Sequence, residues 1–264
     1  MMESVQYSPD RRSGSVPPAA VALAWEQFRV ERKLFWRNPS AAFFSFILPL
    51  TLLLLVASVF ADDADELDIL IPGVAGMSVM ATTFNAMAYN LTFLREQGIL
   101  KRLRGTPMPT SSYFAGFLGN AVANAFVQVG LVLVAGHLLY DVDWPKDWLE
   151  LAVFTLVGVV TFGSLGIALS PVIPNFDSAS AYVNALVLPA IMISGVFYSS
   201  DSLPAGLAAV AEALPLKHVI DGFSDAIVDG GGLGNELGAL AVLGLWGAVG
   251  VFFAVRGFSW DDSR

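Results

Sequence analysis

The chain has 264 residues, of which 55% are hydrophobic and 14% are charged, and its mean hydropathy is +0.65. Soluble domains carry about 25% charged residues, so this composition excludes an ordinary soluble fold and predicts a single membrane domain. The lack of Cys excludes disulfides, thiolate metal sites and cysteine nucleophiles, and two His exclude a His-rich metal site.

We expect an all-α integral membrane protein with a short tail at each end. Residues 1–19 are polar and lack the apolar core of a signal peptide, so they predict a disordered cytoplasmic tail. Residues 20–258 form the membrane domain, and residues 259–264 form a cytoplasmic C-terminal tail.

Residues 21–37 predict an amphipathic helix that lies on the membrane surface. At 100° per residue, Glu26, Arg29, Lys33 and Arg37 share one narrow stripe. The residues opposite this stripe are apolar, namely Val21, Ala24, Trp25, Phe28 and Phe35. Pro39 then turns the chain into the first span.

Six apolar stretches without Asp, Glu, Lys or Arg follow, and each approaches or exceeds the ~20 residues that a helix needs to cross a bilayer. They are Ser40–Phe60, Ile69–Leu94, Tyr113–Tyr140, Leu151–Ser170, Ser178–Ser200 and Leu237–Val255. The sequence therefore predicts six transmembrane helices.

The basic residues predict the orientation of these spans, because Lys and Arg resist translocation. Of the 14 basic residues, all but Lys146 and Lys217 fall on one side, so both termini should be cytoplasmic. The acids cluster in the outer loops, at residues 62–68 and 141–150, where we expect a solvated surface. The acidic net charge of −9 thus belongs to the outer face.

The last outer segment, residues 201–236, is too apolar for a solvated loop, and prolines and glycines divide it into pieces too short to span. We expect two short re-entrant helices there, at about Pro204–Ala213 and Leu216–Val228.

No phosphate-binding glycine loop followed by Lys and Ser or Thr occurs in the sequence, so we expect no nucleotide site and no enzyme activity in this chain. The predicted spans contain no carboxylate, which weighs against proton-coupled transport. His137 lies near the outer end of the third span, where an interfacial role is expected.

The inner loop after the second span predicts a short helix with an apolar ridge. The ridge residues, flanked by Arg and Lys on both sides, are Glu96, Ile99, Leu100 and Leu103. Gly105 and Pro107 then end the helix. From spacing alone, this ridge fits anionic lipid and a groove in a cytoplasmic partner equally well.

Three motifs in the chain give it a family resemblance. The first is Arg37-Asn38-Pro39 with Phe46 and Leu48-Pro49-Leu50. The second is Arg95-Glu96-x-Gly98-x-Leu100 with Leu103 and Thr106-Pro107. The third consists of Leu188-Pro189, Ser194-Gly195-Val196-Phe197, Leu203-Pro204 and Leu214-Pro215-Leu216, and it ends at Asp221. Over residues 20–256 the chain resembles the membrane subunit of type-2 ABC exporters, a family with drug, antibiotic and polysaccharide exporters. It departs from the family at Ser199, where proline is frequent, and at Lys217-His218, where the pair is usually uncharged.

The resemblance implies a six-helix permease that pairs with a second permease chain, identical or paralogous, and with two copies of a cytoplasmic ABC ATPase that binds ATP and Mg. It also implies that the inner loop is the coupling helix. By that match the coupling residues are Glu96, Gly98, Ile99, Leu100, Leu103, Arg104, Thr106 and Pro107.

The resemblance places the substrate path at the dimer axis, between spans two and five. The residues expected to line it are Phe84, Asn85, Asn184, Leu188 and Met192. Amides inside spans are costly in lipid, so we expect Asn85, Asn120, Asn124, Gln128 and Asn184 to face other helices or water.

The resulting expectation is a multi-pass plasma-membrane permease that exports a hydrophobic or amphipathic substrate by alternating access, as in multidrug efflux. Its partners would be the ATPase, the second permease and membrane lipid, with no nucleic acid. A passive channel or ion-driven carrier, or a scaffold that recruits a cytoplasmic partner, are the alternatives.

Overall fold

The computed structural model describes residues 19–59, 64–105, 108–198 and 203–257, and every regular element within these ranges is helical. The helices are α1 Ala20–Arg37, α2 Pro39–Ala57, α3 Ala64–Met80, α4 Ala86–Glu96, α5 Ile99–Arg104, α6 Thr110–Tyr140, α7 Trp148–Leu169, α8 Phe176–Ile193, α9 Ala205–Ala213, α10 Pro215–Ser224 and α11 Leu237–Gly257. A π-helical turn, Ala81–Asn85, joins α3 to α4, and a second, Asp225–Asp229, follows α10. The predicted helical class is confirmed.

Five helices in these ranges are long and apolar enough to cross a membrane. They are Asp65–Glu96, Thr110–Tyr140, Trp148–Val172, Phe176–Ile193 and Leu237–Gly257. The predicted first span corresponds to α2, whose clearly apolar part, Ser45–Ala57, is shorter. The chain is therefore a multi-pass helical membrane protein.

The second span begins earlier than the sequence predicts. Asp65, Glu66 and Asp68 were expected in an outer loop, but they lie in the first turns of α3. Carboxylates are favourable at a helix N-terminus because the exposed N–H groups there carry partial positive charge. A charge count alone therefore misplaces the start of this helix.

The fifth span ends earlier than predicted, at Ile193 instead of Ser200. Gly195 has a positive φ of 78°, which turns the chain away from the helix axis. The following residue, Val196, is buried, and its carbonyl oxygen lies so close to Gly73 of α3 that no side chain would fit there.

The core lies where α7 packs against α11, α10 and α3. Hydroxyl groups of α7 bond backbone carbonyls of α11: Thr161 donates to Leu243 at 3.0 Å and Ser164 donates to Gly247 at 3.3 Å. Helix α10 is a core element, since Leu216, Val219 and Phe223 have no exposed surface. The two short helices that the sequence predicts at about residues 204–213 and 216–228 are present as α9 and α10.

The departures from the family pattern at Lys217 and His218 are accommodated inside α10. The Lys217 ammonium lies 2.7 Å from the Asp221 carboxylate, one helical turn away. The His218 ring nitrogen Nε2 lies 2.8 Å from the carbonyl oxygen of Glu212. Both residues are buried. The His218 contact joins α10 to α9, as does the Lys217 ammonium, which lies 3.7 Å from the Glu212 carboxylate. Ser199 lies outside the described residues.

Helix α1 packs along the first half of α6, and the face that it buries is polar. Gln27 and Glu31 are buried, and the Gln27 amide donates to the Glu31 carboxylate at 2.7 Å. Burial raises the pKa of Glu31, and the bond from Gln27 acts in the opposite direction. Val21 and Trp25 stay exposed, as expected for an apolar face turned to the bilayer.

The contact between α1 and α6 predicts that a side chain added at Gly116 lowers the stability of the protein. A methyl group there would lie 2.6 Å from the Ala24 carbonyl oxygen and 2.6 Å from Gln27 Cβ, so Gly116→Ala must displace α1. We expect a loss of about 1–3 kcal/mol in stability, measured as a lower melting temperature in detergent. Gly130→Ala in the same helix is the control, because nothing lies within 4 Å of its added carbon. Equal melting temperatures for the two variants would contradict this packing.

Candidate coupling site and transport path

Two charged side chains at the end of α4 bind the connection between α7 and α8. The Arg95 guanidinium donates to the carbonyl oxygen of Ser170 at 2.9 Å and to that of Ile173. The neighbouring Glu96 carboxylate accepts a bond from the backbone N–H of Phe176 at 2.8 Å. We call this arrangement the Arg95–Glu96 clamp.

The clamp satisfies backbone groups that helix ends leave without partners. Helix α7 ends at Leu169 and continues as a 3-10 turn, Ser170–Val172. The carbonyl oxygens there have no N–H donor within the helix. Phe176 begins α8, and its N–H has no intrahelical acceptor. A cation thus meets the C-terminal end of one helix and an anion meets the N-terminal end of the next, as the two helix dipoles favour.

Local sequence explains why the chain offers these groups. Pro171 and Pro174 prevent α7 from continuing into α8. The Asn175 side chain then caps α8 by accepting a bond from the N–H of Ser178 at 2.9 Å. The break between the helices is therefore fixed, and the clamp binds a defined turn.

The coupling residues predicted from the sequence lie in and beside α5. Gly98 links α4 to α5 with a φ of +64°, a conformation that L side chains rarely adopt. Leu100 is 1% exposed, so it anchors α5 inside the chain, while Ile99 is half-buried and Lys101 and Arg102 are exposed. The side chains of Leu103 and Arg104, and all of Thr106 and Pro107, lie outside the described residues.

The predicted path residues of α8 share one open face. Asn184, Leu188 and Met192 follow one another at intervals of four residues, and Leu188 and Met192 are 56% and 53% exposed. The opposite face holds the buried residues Ala179, Val183 and Val187. The structure therefore brings these three path residues together on a surface that the single chain leaves uncovered.

The path residues of the second span are placed differently. Phe84 is 8% exposed within the core, and its π-helical turn packs on α7, where the Phe84 backbone lies against Gly166. Asn85 is half-buried in the same turn. Neither residue belongs to the open face of α8.

Several buried polar atoms have no hydrogen-bond partner among the described residues. Those in the predicted spans are Thr83 Oγ1, Asn85 Oδ1, Asn120 Oδ1, Ser194 Oγ and both polar atoms of the Gln128 amide. Asn124 differs, because its oxygen accepts a bond from the Arg32 guanidinium at 2.5 Å. Unpaired amides inside helices are typical of positions that water or a partner completes.

The sequence predicts that the acids at the N-terminal end of α7 are solvated, but one of them is buried. Glu150 has no exposed surface, and the Asp225 carboxyl lies beside it. No donor among the described residues bonds either Glu150 oxygen. Asp147, by contrast, caps α7 by accepting bonds from the N–H groups of Leu149 and Glu150. Helix α10 and the following π-helical turn pack against α7, a contact that the linear sequence does not reveal.

A bundle of apolar helices, five of which are long enough to cross a membrane in the described ranges, defines a multi-pass membrane protein. Residues 21–228 match the sequence profile of the ABC-2 type transporter family. The chain belongs to the ABC-2 type transporter family and is a membrane subunit of such a transporter.

Three relatives illustrate this likeness. The chain is 25% identical over 179 residues to the linearmycin resistance permease protein LnrN of Bacillus subtilis, covering 66% of this chain and 46% of the relative. It is 26% identical over 154 residues to the inner membrane transport permease YadH of Escherichia coli K12, covering 58% and 60%. It is 26% identical over 149 residues to nodulation protein J of Rhizobium leguminosarum, covering 56% and 57%. The chain thus spans less than two thirds of the length of each relative.

The clamp predicts a local effect of Glu96→Ala. The Phe176 N–H loses a charge-assisted bond worth about 1.5–3 kcal/mol, so its hydrogen exchange should accelerate about tenfold or more. Hydrogen exchange with mass spectrometry on the peptide that begins α8 measures this. Asp177→Ala is the control, because it removes an exposed acid from the same helical turn without touching the clamp. Unchanged exchange in Glu96→Ala would show that the bond contributes nothing.

Proposed function

We propose that this chain is the permease half of an ABC exporter that moves a hydrophobic or amphipathic substrate outward by alternating access. A separate cytoplasmic ABC ATPase, in two copies, would bind ATP and Mg and drive the cycle. The observation that carries the proposal is the open face of α8 on a chain of the ABC-2 type transporter family.

The membrane topology in this proposal has six spans and both termini in the cytoplasm. Helix α2 would be the first span, since its apolar part is followed on the outer side by an acidic loop. Helix α1 would be the connecting helix at the cytoplasmic surface, and α9 with α10 would form the outer re-entrant hairpin. The distribution of Lys and Arg supports this orientation.

A second permease chain, identical or paralogous, would cover the open face of α8. Apolar side chains are as stable in lipid as in a protein contact, so exposure of Leu188 and Met192 does not by itself require a protein partner. The Asn184 amide is costly in lipid, and it lies one turn before Leu188 on the same side of the helix. Its position favours a protein partner or a water-filled path along this face.

The coupling residues would act through the corner formed by α4 and α5. We propose that Glu96, Gly98, Ile99, Leu100, Leu103, Arg104, Thr106 and Pro107 transmit closure of the ATPase. The burial of Leu100 supports an anchoring role for this residue, with the exposed Lys101 and Arg102 closer to the partner. The Arg95–Glu96 clamp would then carry movement of α5 into α8.

The substrate would belong to the drug, lipid or glycan class. Phe84, Asn85, Asn184, Leu188 and Met192 are the proposed path residues, and unpaired amides such as that of Asn85 support a hydrated section. The name of the Bacillus subtilis relative refers to resistance to linearmycin, which favours drug efflux among these classes.

The absence of native Cys allows a direct test of this function. Leu188→Cys should become cross-linked across two permease chains, and ATP turnover by a co-purified ABC ATPase should change the cross-linking rate several-fold. Val187→Cys is the matched control, because the Val187 side chain is only 5% exposed and a Cys there should not react.

Two outcomes would contradict the proposal. One is the purification of an intact, folded permease from its native membrane without any ABC ATPase. The other is cross-linking at position 188 that stays the same with and without ATP.

A further inference from the structure

A basic groove lies on the surface of α1, outside the regions assigned to coupling and transport. It is open and has a volume of about 450 Å³. Its lining consists of Phe28, Arg29, Arg32, Lys33, Trp36 and Arg37. Four of these six side chains are cations, whereas the whole chain carries a net charge of −9.

The cations of the groove are only partly neutralised by the protein. Of the two acids in α1, the Glu26 carboxylate lies 3.1 Å from the Arg29 guanidinium, and the buried Glu31 carboxylate accepts a bond from Gln27. Arg32 is held in place, since it donates to Asn124 of α6 and lies 5.8 Å from the centre of the Trp36 ring. Lys33 and Arg37 are exposed on successive turns. The groove therefore offers a concentrated positive charge to an anion.

The position of the groove along α6 places it near a membrane interface. Asn124, which contacts Arg32, lies about 24 Å along the helix axis from Tyr140, the last residue of α6. The hydrocarbon core of a bilayer is about 30 Å thick, and Tyr is frequent at its boundaries. With Tyr140 at one boundary, Arg32 lies close to the other.

Aromatic side chains flank the cations and fix the groove at this depth. Trp25 and Trp36 are 58% and 56% exposed. At 100° per residue both lie within about 40° of Arg29 and Arg32, so Trp25 borders the basic side of α1 and is not opposite it as predicted from the sequence. Indole rings favour the headgroup level of a bilayer because they combine an apolar body with a polar N–H. Helix α1 cannot shift easily, because Gly116 holds it against α6.

We propose that this groove binds the phosphodiester headgroup of an anionic phospholipid from the adjoining leaflet. The planar guanidinium groups of Arg29 and Arg32 suit two-point bonds to phosphate oxygens. Lys33 and Arg37 add charge at the rim, and the exposed indoles contact the glycerol and acyl region. This site is independent of the ATPase partner and of the direction of transport.

The test compares lipid binding by variants of the full chain in nanodiscs. Native mass spectrometry counts phosphatidylglycerol retained by the protein when phosphatidylcholine is the surrounding lipid. Removing two cations with Lys33→Gln and Arg37→Gln should weaken retention roughly fivefold for each charge lost, because each surface cation attracts anionic lipid by about that factor. Melting temperatures of all variants report on folding.

Two controls separate a defined site from general charge attraction. The exchange Lys33→Arg with Arg37→Lys keeps both charges and should retain the lipid. Arg256→Gln removes an exposed cation of α11, which lies over the Phe252 ring, and should change retention little. An equal loss in Arg256→Gln and in the double variant would overturn the proposal.

Wild-type protein gives an independent answer if a variant does not fold. Phosphatidylglycerol should displace phosphatidylcholine from the purified chain, and millimolar inorganic phosphate should not compete with it. No preference between the two lipids would refute the site. Full competition by inorganic phosphate, or retention of an acidic peptide in place of lipid, would show that the groove serves another anion.

Discussion

The hydrogen bonds between the end of α4 and the connection of α7 with α8 determine where α8 lies relative to the other helices. Arg95 meets carbonyl oxygens at the C-terminal end of α7, and Glu96 meets the first N–H of α8. Both are charge-assisted bonds to groups that would otherwise lack partners. Helix α8 buries few side chains of its own, so its place depends on this corner more than on packing along its length.

Helices α7, α10 and α11 are packed more closely than α8. Small residues bring α7 and α11 into backbone contact, with Gly250 directly against Ser164. Helix α10 fills the centre with apolar side chains, and Gly222 lies against the Phe154 ring. Such close contacts tolerate little adjustment, whereas the open α8 presents a surface that a second chain would complete. A stable core and one weakly packed helix suit a transporter that changes shape.

The sequence predicted the helical class, the apolar segments and the two short helices α9 and α10, because local hydropathy and the positions of prolines determine each of these features. It did not predict the clamp, since residues 95 and 170 are distant in sequence and nothing local pairs them. It also missed the polar face that α1 buries and the burial of Glu150. In a membrane protein, apolar residues face both lipid and neighbouring helices, so hydropathy does not tell which side is the core.

The central claim is that the corner formed by α4 and α5 moves as one unit with the start of α8, and spin labels can measure this directly. Labels would be placed at exposed Gln97 and Asp177 in the Cys-free chain, and continuous-wave EPR would report their dipolar broadening with and without ATP turnover. The account predicts constant broadening for this pair while labels at Asn184 on two chains change their separation. A change between positions 97 and 177 during turnover, with the clamp residues intact, would contradict it.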